Sequence, residues 1–429
     1  MKLRILNLLA CVGTTAALCL QSSPAEAVFA SIKSTGMAAT CISYPLDSLV
    51  GAYNPAGMID VGDRFDVEAA WVRDTGRAHI HGNHSPFAAL VNGSYNGMRT
   101  KDAYPVGFGF NKVFNRCGWE YSAGLVVYNR NFQKTTYTKP FILLGTSNLG
   151  LEYLNETVSP CFAVKFLERH SFGISVNYQV ERIKVNGIEN FDHSELPIPL
   201  PQGSRSPGHV TNRGYNYATG WGVTLGYRGE VYNGLFVGVT YQPETSMSRL
   251  NKYKGFLANH GRLNIPRKIG AGISYRVMPC VVVAFDVEHI QWNKIRALHN
   301  NLLHDGLVKP LGSKHGPGFG FRNQLYYRVG ADWQVNECIS ARIGFRHANT
   351  PIKRKQTAVN LLTLDTVENF FTVGGTYCLN CRHEFSALFA YGFEKKIRGH
   401  NSIPAPFGGG NADLKEQKYA LGLAYGFKF

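Results

Sequence analysis

Three imidazoles crowd one short stretch, His79-Ile80-His81-Gly82-Asn83-His84. Histidines this close can share a transition-metal ion, but a zinc site needs a full set of nitrogen, sulfur or oxygen ligands. No Cys or carboxylate stands beside them, so the stretch reads as a histidine-bearing loop and no metal is expected. Cys378-Leu379-Asn380-Cys381 is a lone CxxC. Zinc would need two more ligands and a redox dithiol would need a helix start, whereas this one falls where a hairpin turn is expected. Asp286 and Glu288 share one face of a strand-like run, the spacing of a carboxylate pair for acid–base work. They fit equally well as lumen charges facing Arg342 or Arg346. Gly316-Pro317-Gly318-Phe319-Gly320 precedes a strand and not a helix, so it is no phosphate cradle. Neither GxSxG nor HExxH occurs. The expectation is a protein with no catalytic residues and no cofactor.

The elements around these residues carry more information. The chain opens Met1-Lys2-Leu3-Arg4, runs apolar from Ile5 to Leu20 and reaches Ala25-Glu26-Ala27, a small-x-small cleavage pattern. That is a secretory signal over 1–27, preferred to a lipoprotein signal ending at Cys11. Beyond it no apolar run is long enough for a spanning helix. The formal charge is +16. No recognition helix accompanies it, so no nucleic acid is expected. Clusters such as Lys353-Arg354-Lys355 read as loops facing anionic lipid headgroups or lipopolysaccharide phosphates. Nine cysteines, less Cys11 and Cys19 in the signal, leave an odd number. Cys117, Cys280, Cys338, Cys378 and Cys381 all fall at short turns, where export makes disulfides to neighbouring envelope proteins an expectation.

Period-two alternation dominates the remainder. Phe172, Ile174, Val176, Tyr178 and Val180 alternate with Gly173, Ser175, Asn177, Gln179 and Glu181. The last run alternates Tyr419, Leu421, Leu423, Tyr425, Phe427 and Phe429 with Ala and Gly. Fourteen such runs are read at 64–74, 104–114, 119–130, 150–166, 171–185, 215–228, 232–242, 265–277, 280–293, 321–334, 338–348, 366–378, 382–396 and 417–429. Short links, among them Gly229-Glu230-Val231, alternate with long ones. An even strand count with short turns on one side and long loops on the other predicts an all-β fold, a 14-stranded antiparallel transmembrane β-barrel over 63–429. Closure follows because an open edge in lipid would leave backbone groups unpaired. The segment 28–62 is neither strand nor good helix. Its backbone needs partners, so it is expected to lodge inside the barrel as a hatch, with Asn54, Pro55, Ala56, Gly57 and Met58 at the gating turn.

Ser48-Leu49-Val50 with Asn54-Pro55-Ala56-Gly57-Met58 resembles the plug motif of the long-chain fatty acid and hydrocarbon transporters of the Gram-negative outer membrane, the OmpP1/FadL/TodX type. Leu263-Asn264-Ile265-Pro266 through Tyr275-Arg276-Val277 to Trp292 resembles a strand pair of that family. Phe321-Arg322-Asn323 to Val329-Gly330-Ala331, then Ala341 to Phe345 and Thr350-Pro351, resembles its tenth and eleventh strands. The resemblance implies a monomeric outer-membrane barrel for passive uptake of hydrophobic compounds, long-chain fatty acids above all. Uptake would run by loop capture, a lumenal pocket and hatch-gated lateral release. It implies a basic residue at the ligand head group. Lys314 resembles one such position; the second falls near Asn186-Gly187, where Arg182 or Lys184 would have to substitute. Phe429 resembles the C-terminal aromatic read by the barrel-assembly machinery. The rival readings are a general porin, or an adhesive or structural envelope protein with disulfide-linked periplasmic turns.

Overall fold

The computed structural model describes residues 31–97, 102–194, 203–302, 309–380 and 382–429. The expected signal peptide and Cys381 lie outside the described residues. Fourteen long strands follow one another: β1 (Arg64–His81), β2 (Val106–Arg116), β3 (Trp119–Pro140), β4 (Asn148–Phe166), β5 (His170–Asn186), β6 (Asn216–Tyr232), β7 (Leu235–Gln242), β8 (Lys268–Met278), β9 (Val281–Ile290), β10 (Gln324–Gln334), β11 (Ile339–Ala348), β12 (Asn369–Cys378), β13 (His383–Ile397) and β14 (Asn411–Lys428). Each pairs antiparallel with the next, and β14 returns to β1 in a ladder from Arg64↔Lys428 to His81↔Asn411. The result is a closed 14-stranded barrel. Two short strands, Gly93–Asn96 and Asp102–Ala103, add to the upper part of β1. No helix among the described residues is long and apolar enough to cross a membrane.

Each sequence run maps onto one strand. The residues at each end differ for physical reasons. Three strands outgrow their runs: β1 continues to His81, β3 to Pro140, and β14 begins at Asn411. There, loops pack against the wall, and both faces of a strand become buried, as at Gln133, Lys134 and Thr135. Binary alternation then fades from the sequence. The β6–β7 turn sits at Asn233-Gly234, with Gly234 at φ +73, and not at 229–231. Gly234 supplies the left-handed conformer that the tight hairpin needs. A register shift between Glu230 and Tyr232 absorbs the offset.

Burial is inverted relative to a water-soluble sheet. Phe172 is 52% exposed, whereas Glu181 on the same strand is fully buried. Apolar side chains face outward for lipid and polar ones line the lumen. Apolar cores occupy two further places. One is the outer end, where loops stack Tyr95, Tyr137 and Phe141 over Leu149 and Leu414. The other is the inside of the barrel, around Leu49, Val50, Tyr53 and Met58.

Candidate functional site

The N-terminal segment from Ser31 to Gly62 sits within the barrel, its backbone bonded to inward-facing wall residues. It forms a short helix at Ile32–Thr35 and two 3-10 turns at Ser48–Ala52 and Pro55–Asp60. The second turn starts on Asn54, whose extended backbone and side chain make it an N-cap: Oδ1 accepts from Ala56 N at 3.1 Å. Pro55 at the first position has no N–H to satisfy. Asn54 Nδ2 donates to Ile42 O (2.6 Å) and to Tyr227 O on β6 (3.0 Å). It therefore fastens the turn both to its own segment and to the wall. Ala56 and Met58 are fully buried. A Cβ on Gly57 would stand 3.1 Å from Pro45 and Val50, so the turn is closely packed on its own side too.

The wall meets this segment with two devices. The first is a set of lumenal carboxylates that accept backbone N–H groups, which solves the donor problem of an irregular chain. Asp286 accepts from Cys41 N (2.9 Å) and Ile42 N (3.0 Å). Glu68 accepts from Ser31 N (2.9 Å) and Ile32 N (2.6 Å), and Asp66 from Ser48 N (2.9 Å). Glu384 pairs with Lys33 and Arg64. Arg228 bridges Asp60 (2.6 Å) and Ser43 O (2.7 Å). The second device is glycine at close approaches: a Cβ on Gly173 would collide with Ala56 N, and one on Gly238 with Ile42 O. The lumen expectation for Asp286 and Glu288 holds, but their partners differ from Arg342 and Arg346. Asp286 seats the hatch; Glu288 pairs with Lys268 (3.2 Å) and Arg328 (3.1 Å), and Arg342 pairs with Asp332 (3.1 Å). Asp286 meets a segment far away in sequence, whereas Glu288 and Arg342 pair with neighbouring strands; alternation gives the inward face but not which charge meets which.

Beyond the hatch lies a lumenal cavity, open to solvent. Tyr53 of the hatch forms part of its floor, and Tyr153, Trp292, Phe319, Phe321 and Phe370 supply aromatic walls. Five cations line it, Arg130, Lys268, Arg328, Arg346 and Lys418, against two carboxylates, Glu288 and Asp365. Arg346 stacks over Phe370 at 4.1 Å, and Arg130 donates to Gln242 Oε1 at 2.5 Å. A second, outer groove lies among the loops. Its lining is wholly apolar and aromatic, including Tyr95, Phe141, Phe191, Phe256, Leu311 and Phe407.

Lys314 is exposed on a loop and does not line either cavity. Arg182 and Lys184 alternate with inward Glu181 and Ile183, so they face outward. Arg182 packs over Tyr215 (4.5 Å) and Lys184 pairs with Glu152 (3.5 Å). The structure thus sets all three apart from the cavity, whose cations come from other strands. Inward parity on β3, β8, β10 and β11 was the available signal for Arg130, Lys268, Arg328 and Arg346. Phe429 N donates to Asp63 O (3.1 Å) and its ring stacks on Phe110 at 5.9 Å, across the β1–β2 seam. Cys117, Cys280 and Cys338 are exposed free thiols, and Cys378, also free, is half-buried. Cys378 N donates to Cys338 O at 2.7 Å. The His79 and His81 rings lie 5.7 Å apart, and among the described residues no three metal-ligating side chains converge.

The model of the outer membrane protein transport protein family (OMPP1/FadL/TodX) matches residues 21–429. No curated protein matches the sequence. Among solved structures, a Pseudomonas aeruginosa FadL homologue superposes with TM-score 0.70 at 14% identity, over 95% of this chain and 100% of that one. The P. putida toluene transporter TodX gives 0.65 at 13% identity, over 93% and 98%. The Ralstonia pickettii toluene transporter TbuX gives 0.58 at 14%, over 93% and 98%. At these identities the likeness concerns the fold.

Proposed function

The chain belongs to the OMPP1/FadL/TodX family of outer membrane transport proteins, and on that premise we propose that its cargo is a long-chain fatty acid, taken up passively. That the protein is an outer-membrane channel for hydrophobic compounds and not an enzyme follows from the family. The finer reading rests on one observation: the lumenal cavity joins aromatic walls to an excess of cations, five against two carboxylates. An acyl tail gains by leaving water for such walls, and its carboxylate is stabilised near Arg130 and Arg346. The wholly apolar outer groove favours a second reading, an uncharged hydrocarbon, and the TodX and TbuX structures are of toluene transporters.

The exit would be lateral, released by the hatch. β2 pairs with β1 only from Asn111 to Val106, while β1 runs on to His81. Pro105 has no N–H to give the ladder, and beyond it β1 keeps only the short strands Asp102–Ala103 and Gly93–Asn96 as partners on that edge. The hatch turn at Ser48–Ala52 packs on Gly107 and Gly109 of β2, just inside that interruption. Movement of the hatch would therefore loosen the wall at this break between β2 and the short strands. The turn thiols support one further reading, cross-linking to neighbouring envelope proteins. A non-reducing gel that shows only monomer after oxidation removes it.

The test is uptake of labelled oleate, with labelled toluene alongside, by cells expressing wild type or Asn54→Ala. Wild type should take up oleate above cells lacking the protein, and Asn54→Ala should take up less while keeping a folded barrel. Toluene uptake without oleate uptake would transfer the cargo to hydrocarbons. Normal oleate uptake by Asn54→Ala would remove the hatch turn from gating.

A further inference from the structure

Three cations stand directly opposite one another on the outside of the wall. Arg77 on β1 faces Lys415 on β14, and Lys415 faces Lys396 on β13, in antiparallel register. Their strand neighbours Ala78, Leu414 and Ile397 are buried on the inner side, so the three side chains point outward. Lys396 and Lys415 are exposed there and Arg77 is half-buried. Like charges placed directly across a sheet repel. Neighbouring strands lie about 4.8 Å apart, so the row is roughly 10 Å wide.

Nearby carboxylates relieve only part of this repulsion. Glu394 pairs with Lys415 (2.6 Å), and Asp413 with Lys396 (3.0 Å) and His81 (3.5 Å). Arg77 has no ion pair among the described residues, and its other partner across the sheet is the uncharged Asn96. Further positive charge adjoins the row. Arg354 Nε donates to Arg398 O (3.1 Å), and His400 N to Arg354 O (3.0 Å). These bonds bring the exposed Arg354 and Lys355 to the upper end of β13, beside the exposed Arg398. Cations therefore outnumber carboxylates on this stretch of the rim, which makes it a site for anions.

Its depth identifies the anion. Four residues back along β1 and β14, about 13 Å toward the membrane, the same register holds Arg73, Tyr419 and Tyr391. Arg73 is paired with Asp102 (3.0 Å), and the two tyrosine rings lie 5.3 Å apart. Aromatic residues in such a girdle mark the lipid interface. Below them Phe389, Leu421 and Leu423 are exposed to the acyl region. An anion held by the row therefore has its head above the girdle and its tails against apolar wall.

We infer that the row Arg77, Lys415 and Lys396 binds lipopolysaccharide, taking the phosphates of its acylated sugar head while the acyl chains lie along Phe389, Leu421 and Leu423. A row this wide fits a head with more than one phosphate better than a phospholipid with a single one. Occupancy cancels the repulsion, so the bound lipid fastens β13, β14 and β1 together at the seam where the barrel closes. The inference rests on the outer-membrane placement and is independent of the cargo.

Binding of purified lipopolysaccharide to the detergent-solubilised full-length protein is measured for wild type and R77Q/K396Q/K415Q, with heat-modifiable migration as the check of folding. A cation beside anionic lipid changes affinity about fivefold, so the triple variant should bind roughly a hundredfold more weakly. The difference should narrow at high salt. R77K/K396R/K415R should bind as wild type does. Lipopolysaccharide stripped of its phosphates should bind wild type as weakly as the intact lipid binds the triple variant. Intact lipid should raise the melting temperature of wild type and not of the triple variant. Unchanged binding by the triple variant, or equal binding of the phosphate-free lipid, would overturn the inference. Phosphatidylglycerol binding as tightly as lipopolysaccharide would overturn it too, by giving the row to phospholipid. If the triple variant does not assemble, R77Q alone should lose about fivefold in affinity, and no loss there overturns the inference.

Discussion

Gly173 shows how one atom positions the hatch. Its strand neighbours Phe172 and Ile174 point to lipid, so its own missing side chain would point inward, onto the Pro55–Ala56 peptide. Any Cβ there must displace backbone, because no flexible side chain stands in the way. Gly173→Ala should therefore destabilise the seated hatch by about 1–3 kcal/mol, the usual range for overpacking, while the wall stays intact. Hydrogen exchange should show protection lost over 53–58 and retained in β5; unchanged protection at 53–58 would refute the seating. Asn54→Ala should act in the same direction, since it removes a cap and two donated hydrogen bonds at roughly 1 kcal/mol each. Asn54-Pro55 was legible because cap and proline chemistry are local. The matching Gly173 and Asp286 were legible only as inward positions, since their partners lie more than a hundred residues away.

At the scale of elements, the membrane-crossing parts of the strands could be read because lipid on one side and lumen on the other enforce alternation. Above the membrane that constraint ends, and the loops that build the outer groove left no period to read. Their order depends on discrete polar ties instead. Glu189, at the 3-10 turn Glu189–Phe191, accepts from Thr146 N (3.0 Å) and from the Ser147 and Asn212 side chains. Partial burial pushes its pKa up, but the hydrogen bonds from Ser147 and Asn212 outweigh this and hold the carboxyl below the usual range. A depressed folded-state value means that the tie is fully present above the unfolded value, about 4.3 for Glu, and is lost as pH falls through the folded one. The Thr146 and Ser147 amide resonances should thus shift together as the pH drops below about 4. Glu189→Gln should abolish that titration and leave the groove permanently looser. A titration that persists in Glu189→Gln would assign the effect to another group.

The whole molecule is two objects made from one chain, a closed wall and a segment that fills it. Closure does not need the filling: β1 and β14 pair along their full lengths through their own backbones. Filling, however, changes what the lumen must be. Asp66, Glu68, Asp286 and Glu384 face inward as acceptors for the segment's backbone and Lys33, and without it they would face water. Because water can solvate them, removal of 31–62 from the mature chain should leave a folded barrel and not a collapsed one. Stability should fall, since Val126, Tyr128, Cys161 and Ala163 of the wall lose the burial they now share with Leu49, Val50, Met58 and Ile59. Permeability should rise. In planar bilayers the shortened protein should show a large, steady conductance where the full chain shows little, and heat-modifiable migration should report an intact barrel with a lower melting temperature. A shortened barrel that conducts no better than the full chain would mean that the outer loops, and not the hatch, close the path. The lumenal cavity and its cations would then be the end of the route instead of its middle.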